Sequence, residues 1–90
     1  MKKEMIVYSI SDSLGGTSQK LLSAVTAQYP DIIFNNSYRF PFINKEDELL
    51  DILRDAIKDD ALVISTLVDG KLASLAWEVS LMHGLSYLDV

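Results

Sequence analysis

Two short apolar runs constrain the fold of this chain more than any other feature of its sequence. Met5–Ile10 is apolar except for Ser9, and Ala61–Leu67 is apolar except for two hydroxyl residues near its end. A strand covered on both faces reads as a nearly continuous apolar run, which is typical of the central strands of a parallel sheet. The two runs therefore predict central strands with helices on both faces of the sheet.

The segments between and after these runs alternate between helical and extended patterns. Apolar residues recur at helical spacing in three segments, and two further segments have strand character. An alternating order of this kind implies right-handed crossovers and parallel pairing. We therefore expect an α/β fold: a small doubly wound parallel four-stranded sheet, βαβαβαβ, with strand order 2-1-3-4 and helices on both faces. The expected helices are Thr17–Tyr29, Lys45–Asp59 and Lys71–His83, and the other strands are Ile32–Phe40 and Leu85–Asp89.

The finer expectations concern helix faces and ends. Asn44 and Asp69 are expected to be N-caps, and Gly84 is expected to be a left-handed C-cap. His83 is expected to interact with the helix dipole in the last turn.

In the second strand, Ile32, Phe34, Tyr38 and Phe40 are expected to share one face of an edge strand. The expected inward positions of the helices are apolar, with Trp77 at the margin: Leu21, Leu22, Ala24, Val25 and Tyr29; Leu49, Leu50, Ile52, Leu53, Ala56 and Ile57; Leu72, Leu75, Ala76, Val79 and Met82.

Composition excludes several classes of function. The chain has 90 residues, 49% of them hydrophobic, which predicts one domain with a real core. It has no cysteine and one histidine, so thiolate catalysis, disulfides and cysteine- or histidine-rich metal sites are excluded. The net charge of −5 disfavours nucleic acids and anionic membranes as partners. No signal peptide or membrane-length apolar run is evident, so we expect a cytoplasmic protein.

The loop after the first strand has the composition of an anion site. It contains Ser11, Asp12, Ser13, Gly15 and Gly16, and a helix is expected to begin near Thr17. Unpaired N–H groups at a helix start attract anions, and glycines allow close approach of the backbone. The spacing is that of neither a P-loop nor a dinucleotide fingerprint. A plain turn in which Ser13, Thr17 or Ser18 caps the helix is the alternative.

Topology predicts which other residues approach this loop. In a sheet of order 2-1-3-4 the winding reverses between strands 1 and 3, and a crevice opens between their exit loops. Ser11–Ser13 and the segment from Thr66 to Asp69 would line this crevice, and Arg39 lies at the exit of strand 2. Ligands of doubly wound sheets bind at this position.

Three segments together resemble one known family. Residues 11–17, SDSLGGT, resemble the SDSTGET signature of the regulatory proteins of pyruvate, phosphate dikinase and phosphoenolpyruvate synthase. Residues 39–43, RFPFI, and residues 66–69, TLVD, resemble that family's RFPF and TLVD segments, and the ending Tyr87-Leu88-Asp89 resembles its next element. The resemblance covers nearly the whole chain. It implies a bifunctional enzyme that phosphorylates a target threonine with ADP and removes the phosphate with inorganic phosphate, releasing pyrophosphate.

Two departures from the family pattern limit what is carried over. Leu14 replaces a threonine and Gly16 replaces a glutamate of the signature. The family's P-loop, with its glycine and lysine, belongs to a later domain that these residues do not contain. We therefore expect residues 1–90 to be a single α/β domain, the N-terminal part of a longer protein, without kinase activity alone. No cofactor is expected in this part, and ADP or ATP with Mg²⁺ is implied for the missing domain.

Two hypotheses of function follow. In the first, the crevice binds phosphate, pyrophosphate or the phosphorylated loop of a dikinase or synthase target. The hydroxyls of Ser11, Ser13, Thr17 and Thr66, the amides of Gly15 and Gly16, and the Arg39 guanidinium would bind the anion, and Asp12 and Asp69 would move protons or order the loops. In the second, the domain is a non-catalytic module that docks a target enzyme. The sequence leaves open whether two copies pair through strand 4 as a homodimer.

Other doubly wound proteins fit less well. A phosphorelay receiver needs an acidic pair after strand 1 and a lysine after a fifth strand. A cysteine-phosphate transport domain needs cysteine. A flavodoxin-type site would normally have aromatic shields after strand 3, where residues 66–70 have none.

Overall fold

A computed structural model describes residues 3–13 and 16–89, except for the side chains of residues 16–19, 36, 37 and 89. Helices and strands alternate along the chain, and each predicted element is present with bounds shifted by at most two residues. The elements are β1 (Lys3–Ser11), α1 (Gly16–Gln28), β2 (Ile32–Phe40), α2 (Glu46–Lys58), β3 (Leu62–Thr66), α3 (Gly70–Met82) and β4 (Ser86–Asp89).

The four strands form one parallel sheet in the order β2-β1-β3-β4. This confirms the predicted small doubly wound fold. β1 and β3 are the central strands, and their residues Val7, Ile10, Val63 and Ile64 are fully buried. The continuous apolar runs of the sequence therefore mark the strands that are covered on both faces, as expected.

The sheet separates two hydrophobic clusters. The larger lies between the sheet and helices α2 and α3, and the smaller lies beneath α1. Alternation along β1 sends successive side chains to opposite clusters: Tyr8 and Ile10 to the larger, Val7 to the smaller. Ser9 and Ser11 therefore lie on the α1 face of the sheet.

An irregularity in β2 corrects the predicted face of that strand. Ile6 pairs with Asn35 and Tyr8 pairs with Tyr38, so β2 has one extra residue between these two pairs. Phe34 packs in the cluster under α1, whereas Tyr38 and Phe40 contact the Tyr8 ring on the opposite face, with centroids 4.9 and 5.5 Å from it. The four aromatic and aliphatic residues predicted to share one face are therefore split between both, because a bulge reverses the alternation.

Several predicted inward positions of the helices are wrong. Met82 is 79% exposed at the end of α3, and Tyr29 is 52% exposed beyond the end of α1. Ala24 is also exposed, and Leu50 lies at the margin of the stripe on α2. Periodicity fails at these positions because they lie at helix ends or edges, beyond the part of each helix that the sheet covers. Trp77 lies at the margin as expected and contacts the Tyr87 ring edge-on.

The helix ends agree with expectation at α3 and differ at α2. The Asp69 carboxylate accepts hydrogen bonds from the N–H groups of Lys71 and Leu72, at 2.9 and 3.1 Å, which confirms the predicted N-cap. Gly84 has a φ of +62°, as predicted for a left-handed cap. Asn44 is not the N-cap of α2: Lys45 occupies that position and makes no side-chain cap bond.

Three further helix-end expectations also change. His83 follows the last turn of α3 as its C-cap residue instead of lying within that turn. Thr17 and Ser18 lie inside α1, so neither is its N-cap.

A buried tyrosine joins β1 to the end of α2. The Tyr8 hydroxyl donates a hydrogen bond of 2.5 Å to the Asp59 carboxylate, and the Tyr8 side chain is 3% exposed. Burial, this hydrogen bond and the negative charges of Asp59 and Asp55 raise the pKa of the Tyr8 phenol far above its ordinary value. The phenol is therefore held in its neutral form.

Candidate functional site

The carboxyl ends of β1 and β3 meet through the side chain of Asp12. Its Oδ2 atom accepts hydrogen bonds from the backbone N–H groups of Val68 and Asp69, at 2.8 and 3.0 Å. Asp69 in turn caps α3 through its own carboxylate. The loops predicted to line one crevice are therefore neighbours, and both acidic side chains serve to order them.

The segment that follows β2 closes against the same loop. The Phe42 N–H donates to the carbonyl oxygen of Ser13 at 3.2 Å, and the Ile43 N–H donates to that of Ser11 at 2.9 Å. The Ile43 side chain is buried in the larger cluster. Around Ser11–Ser13, backbone hydrogen bonds join the exit of β2 to that of β1, and the Asp12 carboxylate joins the exit of β3 to that of β1.

Hydroxyl groups are concentrated on the α1 face at this end of the sheet. Ser11 Oγ accepts from the Ser13 N–H at 3.0 Å and lies 3.1 Å from Ser13 Oγ. Ser11 pairs with Thr66 across the β1–β3 ladder, so their side chains are neighbours on this face. On this face Ser9 Oγ and Thr66 Oγ1 are buried without a hydrogen-bond partner, as are Ser65 Oγ and Ser80 Oγ elsewhere among the described residues. Buried polar atoms are ordinarily paired, so the hydroxyls of Ser9 and Thr66 have unused bonding capacity toward this face.

Arg39 reaches the same face because of the bulge in β2. Its backbone pairs with Ser9, and its neighbours Tyr38 and Phe40 lie on the opposite face of the sheet. Alternation therefore places the exposed Arg39 side chain on the face that carries Ser9 and Ser11. A guanidinium next to hydroxyl donors is suited to an oxyanion.

The predicted site residues are largely brought to one place. The carboxyl-terminal end of the sheet carries five of them: Ser11, Asp12, Ser13, Thr66 and Asp69. Gly15 lies outside the described residues. Gly16 and Thr17 form the first turn of α1, and the Thr17 side chain is among those not described.

Two residues at this edge escaped the sequence predictions. Ser9 is the one polar interruption of the apolar run Met5–Ile10, and a lone hydroxyl in a strand covered on both faces is itself a signal. Phe42 lies within the RFPFI segment, and its backbone conformation has no sequence signature.

A groove, the metal-ligating side chains and the helix lengths are the other features of the described residues that bear on function. A groove of about 340 Å³ lies under the end of α1 and is lined by Met5, Tyr29, Phe34 and Leu88 among others, with no charged side chain in its wall. Within residues 3–13 and 16–89, no group of three or more acidic or histidine side chains could hold a metal ion. No helix in the described part of the chain is long and apolar enough to cross a membrane.

The sequence of this chain is similar to those of one known family. The sequence model of a family described as kinase/pyrophosphorylase matches residues 7–90. Proteins named putative pyruvate, phosphate dikinase regulatory protein from Streptococcus gordonii and Streptococcus sanguinis are 91% and 86% identical over all 90 residues. A relative from Enterococcus faecalis, named putative pyruvate, phosphate dikinase regulatory protein 1, is 63% identical over the same length. The chain spans about a third of the length of each of these relatives. It belongs to the kinase/pyrophosphorylase family.

Proposed function

We propose that this chain is the N-terminal domain of a regulator of pyruvate, phosphate dikinase or phosphoenolpyruvate synthase, and that the edge of its sheet binds a phosphate group. Family membership and the names of the close relatives support the regulatory role. In the full-length protein, the activity would be that of a serine/threonine kinase and phosphate-dependent phosphorylase acting on the target in the cytoplasm. ADP or ATP and Mg²⁺ would bind in the domain that these residues lack.

The observation that carries the phosphate-binding part is the pair of buried hydroxyls without partners. Ser9 Oγ and Thr66 Oγ1 face the side of the sheet on which Arg39 lies and over which α1 begins. A buried hydroxyl left without a partner costs about 1–3 kcal/mol, which an oxyanion accepting from it would offset. The helix start adds unpaired N–H groups that also favour an anion.

The proposed role is to bind and orient the phosphate group. The Ser11 and Ser13 side chains are already hydrogen-bonded to each other and to the loop backbone, so they maintain the conformation of the loop. The Arg39 guanidinium and the hydroxyls of Ser9 and Thr66 would therefore contact the phosphate oxygens. The Asp12 and Asp69 carboxylates are each engaged by two backbone N–H groups, so we assign them to loop ordering and not to proton transfer. Phosphoryl transfer itself needs a phosphate cradle and metal ligands from elsewhere.

Titration of the 90-residue protein with inorganic phosphate and pyrophosphate tests this proposal. A dispersed amide spectrum first establishes that the protein is folded. We expect saturable shifts of the amide signals of Ser13, Gly16 and Thr66, and loss of these shifts in Arg39→Ala. Arg54→Ala is the matched control, because Arg54 is an exposed arginine on α2, at the opposite face. Shifts that are absent, or equal in both variants, would contradict phosphate binding at this edge.

The second candidate is a docking module that binds the target without phosphate. The exposed apolar side chains of Phe42 and Val68 beside the crevice favour it. Binding of the full-length regulator to the dikinase separates the two: if Ser13→Ala and Arg39→Ala leave this binding unchanged, docking without phosphate recognition is the better description. The isolated residues 1–90 are expected not to phosphorylate the dikinase in either case.

A further inference from the structure

The two edge strands of the sheet differ in how they are protected. β2 contains the extra residue described above, and an irregularity of this kind discourages a further strand from pairing. β4 pairs with β3 in unbroken register over Ser86–Asp89, and it contains neither proline nor lysine. Within residues 3–13 and 16–89, no strand lies on its other side. Natural edge strands are ordinarily blunted or covered, so β4 has the form of a strand that another segment covers.

Helix α3 exposes apolar side chains on the flank that lies beside β4. Trp77 and Leu81 are one turn apart on this flank, and they are 51% and 68% exposed. The Trp77 ring contacts the Tyr87 ring of β4, which places this flank on the β4 side. The other flank of α3 faces α2, since Val79 and Leu50 line one groove between the two helices. The apolar pair Trp77 and Leu81 is therefore directed toward the edge of the sheet.

The handedness of the fold links the β4 edge to this flank of α3. The step from β3 through α3 to β4 moves outward by one strand, with its helix on the same face as α2. Parallel crossovers are right-handed, so a further outward step places its helix on this face again, beside α3 and against Trp77 and Leu81. Its strand then pairs with β4. One continuation of the chain thus covers both features, whereas a separate protein would have to match a strand edge and a helix flank at once.

The length of the relatives is sufficient for such a continuation. The chain spans about a third of their length, and β4 ends at Asp89. A parallel crossover needs about a dozen or more residues. Because the proposed function makes this chain the N-terminal domain of a longer regulator, the segment that follows leaves the sheet at the end of β4.

We propose that the segment following residue 90 of the full-length regulator forms a helix that packs on Trp77 and Leu81 and a fifth strand that pairs in parallel with β4. This inference rests on one part of the proposed function, namely that the chain is the N-terminal domain of a longer protein. The carboxyl end of a fifth parallel strand lies at the same end of the sheet as Ser11–Ser13 and Thr66. The loop after that strand therefore brings the rest of the regulator toward the candidate phosphate site.

Amide hydrogen exchange of the full-length regulator alone tests the fifth strand. The N–H groups of β4 that point away from β3 should exchange about a hundredfold or more slowly than those of an unstructured peptide, because carbonyl groups of the fifth strand accept their hydrogen bonds. Exchange is measured over about a tenfold range of regulator concentration, and again with the dikinase added. Protection that is the same in all these samples is the expected result, since the strand belongs to the same chain.

Two neighbouring substitutions in the full-length regulator test the helix. Leu81→Glu places a charge beneath the proposed helix and should speed exchange of these β4 N–H groups by about tenfold or more. Met82→Glu is the matched control, because Met82 is 79% exposed but is turned about 100° further around the helix axis, away from Trp77. It should leave the exchange of β4 unchanged.

Four results would overturn the inference. Rapid exchange of the outward N–H groups of β4 in the wild type would show that no strand pairs there. Protection that grows with regulator concentration would assign the edge to a second copy, and protection seen only with the dikinase would assign it to the target. Equal effects of Leu81→Glu and Met82→Glu would show that no helix packs on the Trp77 flank. Failure of the regulator to bind the dikinase would refute the regulatory function without changing the exchange of β4, so the two failures are distinguishable.

Discussion

Replacement of Asp12 by alanine is the sharpest test of how the candidate site is held together. The Asp12 carboxylate accepts two N–H bonds, at 2.8 and 3.0 Å, from consecutive residues of the loop after β3. A hydrogen bond to a charged group is worth about 1.5–3 kcal/mol when buried. These N–H groups lie at an exposed edge where water replaces the lost acceptor, so we expect about 2 kcal/mol for the pair.

Urea unfolding followed by tryptophan fluorescence measures this change. Trp77 is the single tryptophan of the chain, and its ring packs 5.9 Å from that of Tyr87, so its emission reports loss of the packing between α3 and β4. With a denaturant slope of about 1 kcal/mol per molar for a chain of this size, the midpoint should fall by about 2 M in Asp12→Ala. Asp12→Asn keeps an oxygen acceptor without the charge, so its urea midpoint should lie between those of the wild type and Asp12→Ala.

Asp51→Ala is the control for removal of an acidic side chain. The Asp51 carboxylate makes only a 3.8 Å pair with Arg54, and both side chains are more than 70% exposed. Such pairs contribute little, so the free energy of unfolding should change by less than about 0.5 kcal/mol. If Asp12→Ala shifts the midpoint no further than Asp51→Ala, the Asp12 bonds do not hold the two loops together.

Three further changes probe the helix ends and the buried tyrosine. Asp69→Ala removes the cap of α3 and should cost about 1 kcal/mol in urea unfolding. Lys45→Ser supplies the cap bond that α2 lacks and should add about 0.5–1 kcal/mol. Tyr8→Phe removes the bond to Asp59 and should cost about 1 kcal/mol near neutral pH. Because the folded state raises the pKa of Tyr8, stability should fall as the pH rises above about 10, where the unfolded phenol ionises, and Tyr8→Phe should flatten that fall.

Each of these three predicted stability changes has a result that would contradict it. A Lys45→Ser protein no more stable than the wild type would mean that water already satisfies the first turn of α2. An Asp69→Ala protein of unchanged midpoint would mean that the cap bonds are not retained in solution. A Tyr8→Phe protein whose stability above pH 10 falls as steeply as that of the wild type would assign the alkaline loss to other groups.

The sequence patterns predicted the sheet because its central strands are buried on both sides. Continuous apolar runs at Met5–Ile10 and Ala61–Leu67 leave few alternatives to a parallel sheet, and the topology then follows from general rules of handedness. Helix ends were harder to place, as Asn44 shows: a good capping residue lies one position before the true cap. Met82 has apolar character and helical spacing, yet the sheet does not extend far enough to cover it.

The candidate site was predictable to the extent that topology determines it. The reversal of winding between β1 and β3 placed Asp12 near Asp69 without any knowledge of side chains. The contacts of Asp12 were not predictable, since an acidic loop residue has many local partners. The burial of the Ser9 and Thr66 hydroxyls and their lack of hydrogen-bond partners were equally unpredictable, because both depend on how the strands are aligned.

Because β2 contains one extra residue, the face on which each of its later side chains lies depends on the length of the strand. Before the extra residue, even-numbered positions such as Phe34 face α1, and after it Tyr38 and Phe40 face away. Deletion of one residue between Phe34 and Tyr38 would bring the rings of Tyr38 and Phe40 to the α1 face and send the Arg39 guanidinium to the opposite face. The candidate site would then lose its guanidinium, and the Tyr8 ring would lose its stacking partners. Loss of two residues would keep the present sides. Insertions or deletions of two residues in β2 should therefore be tolerated, and those of one residue should be selected against.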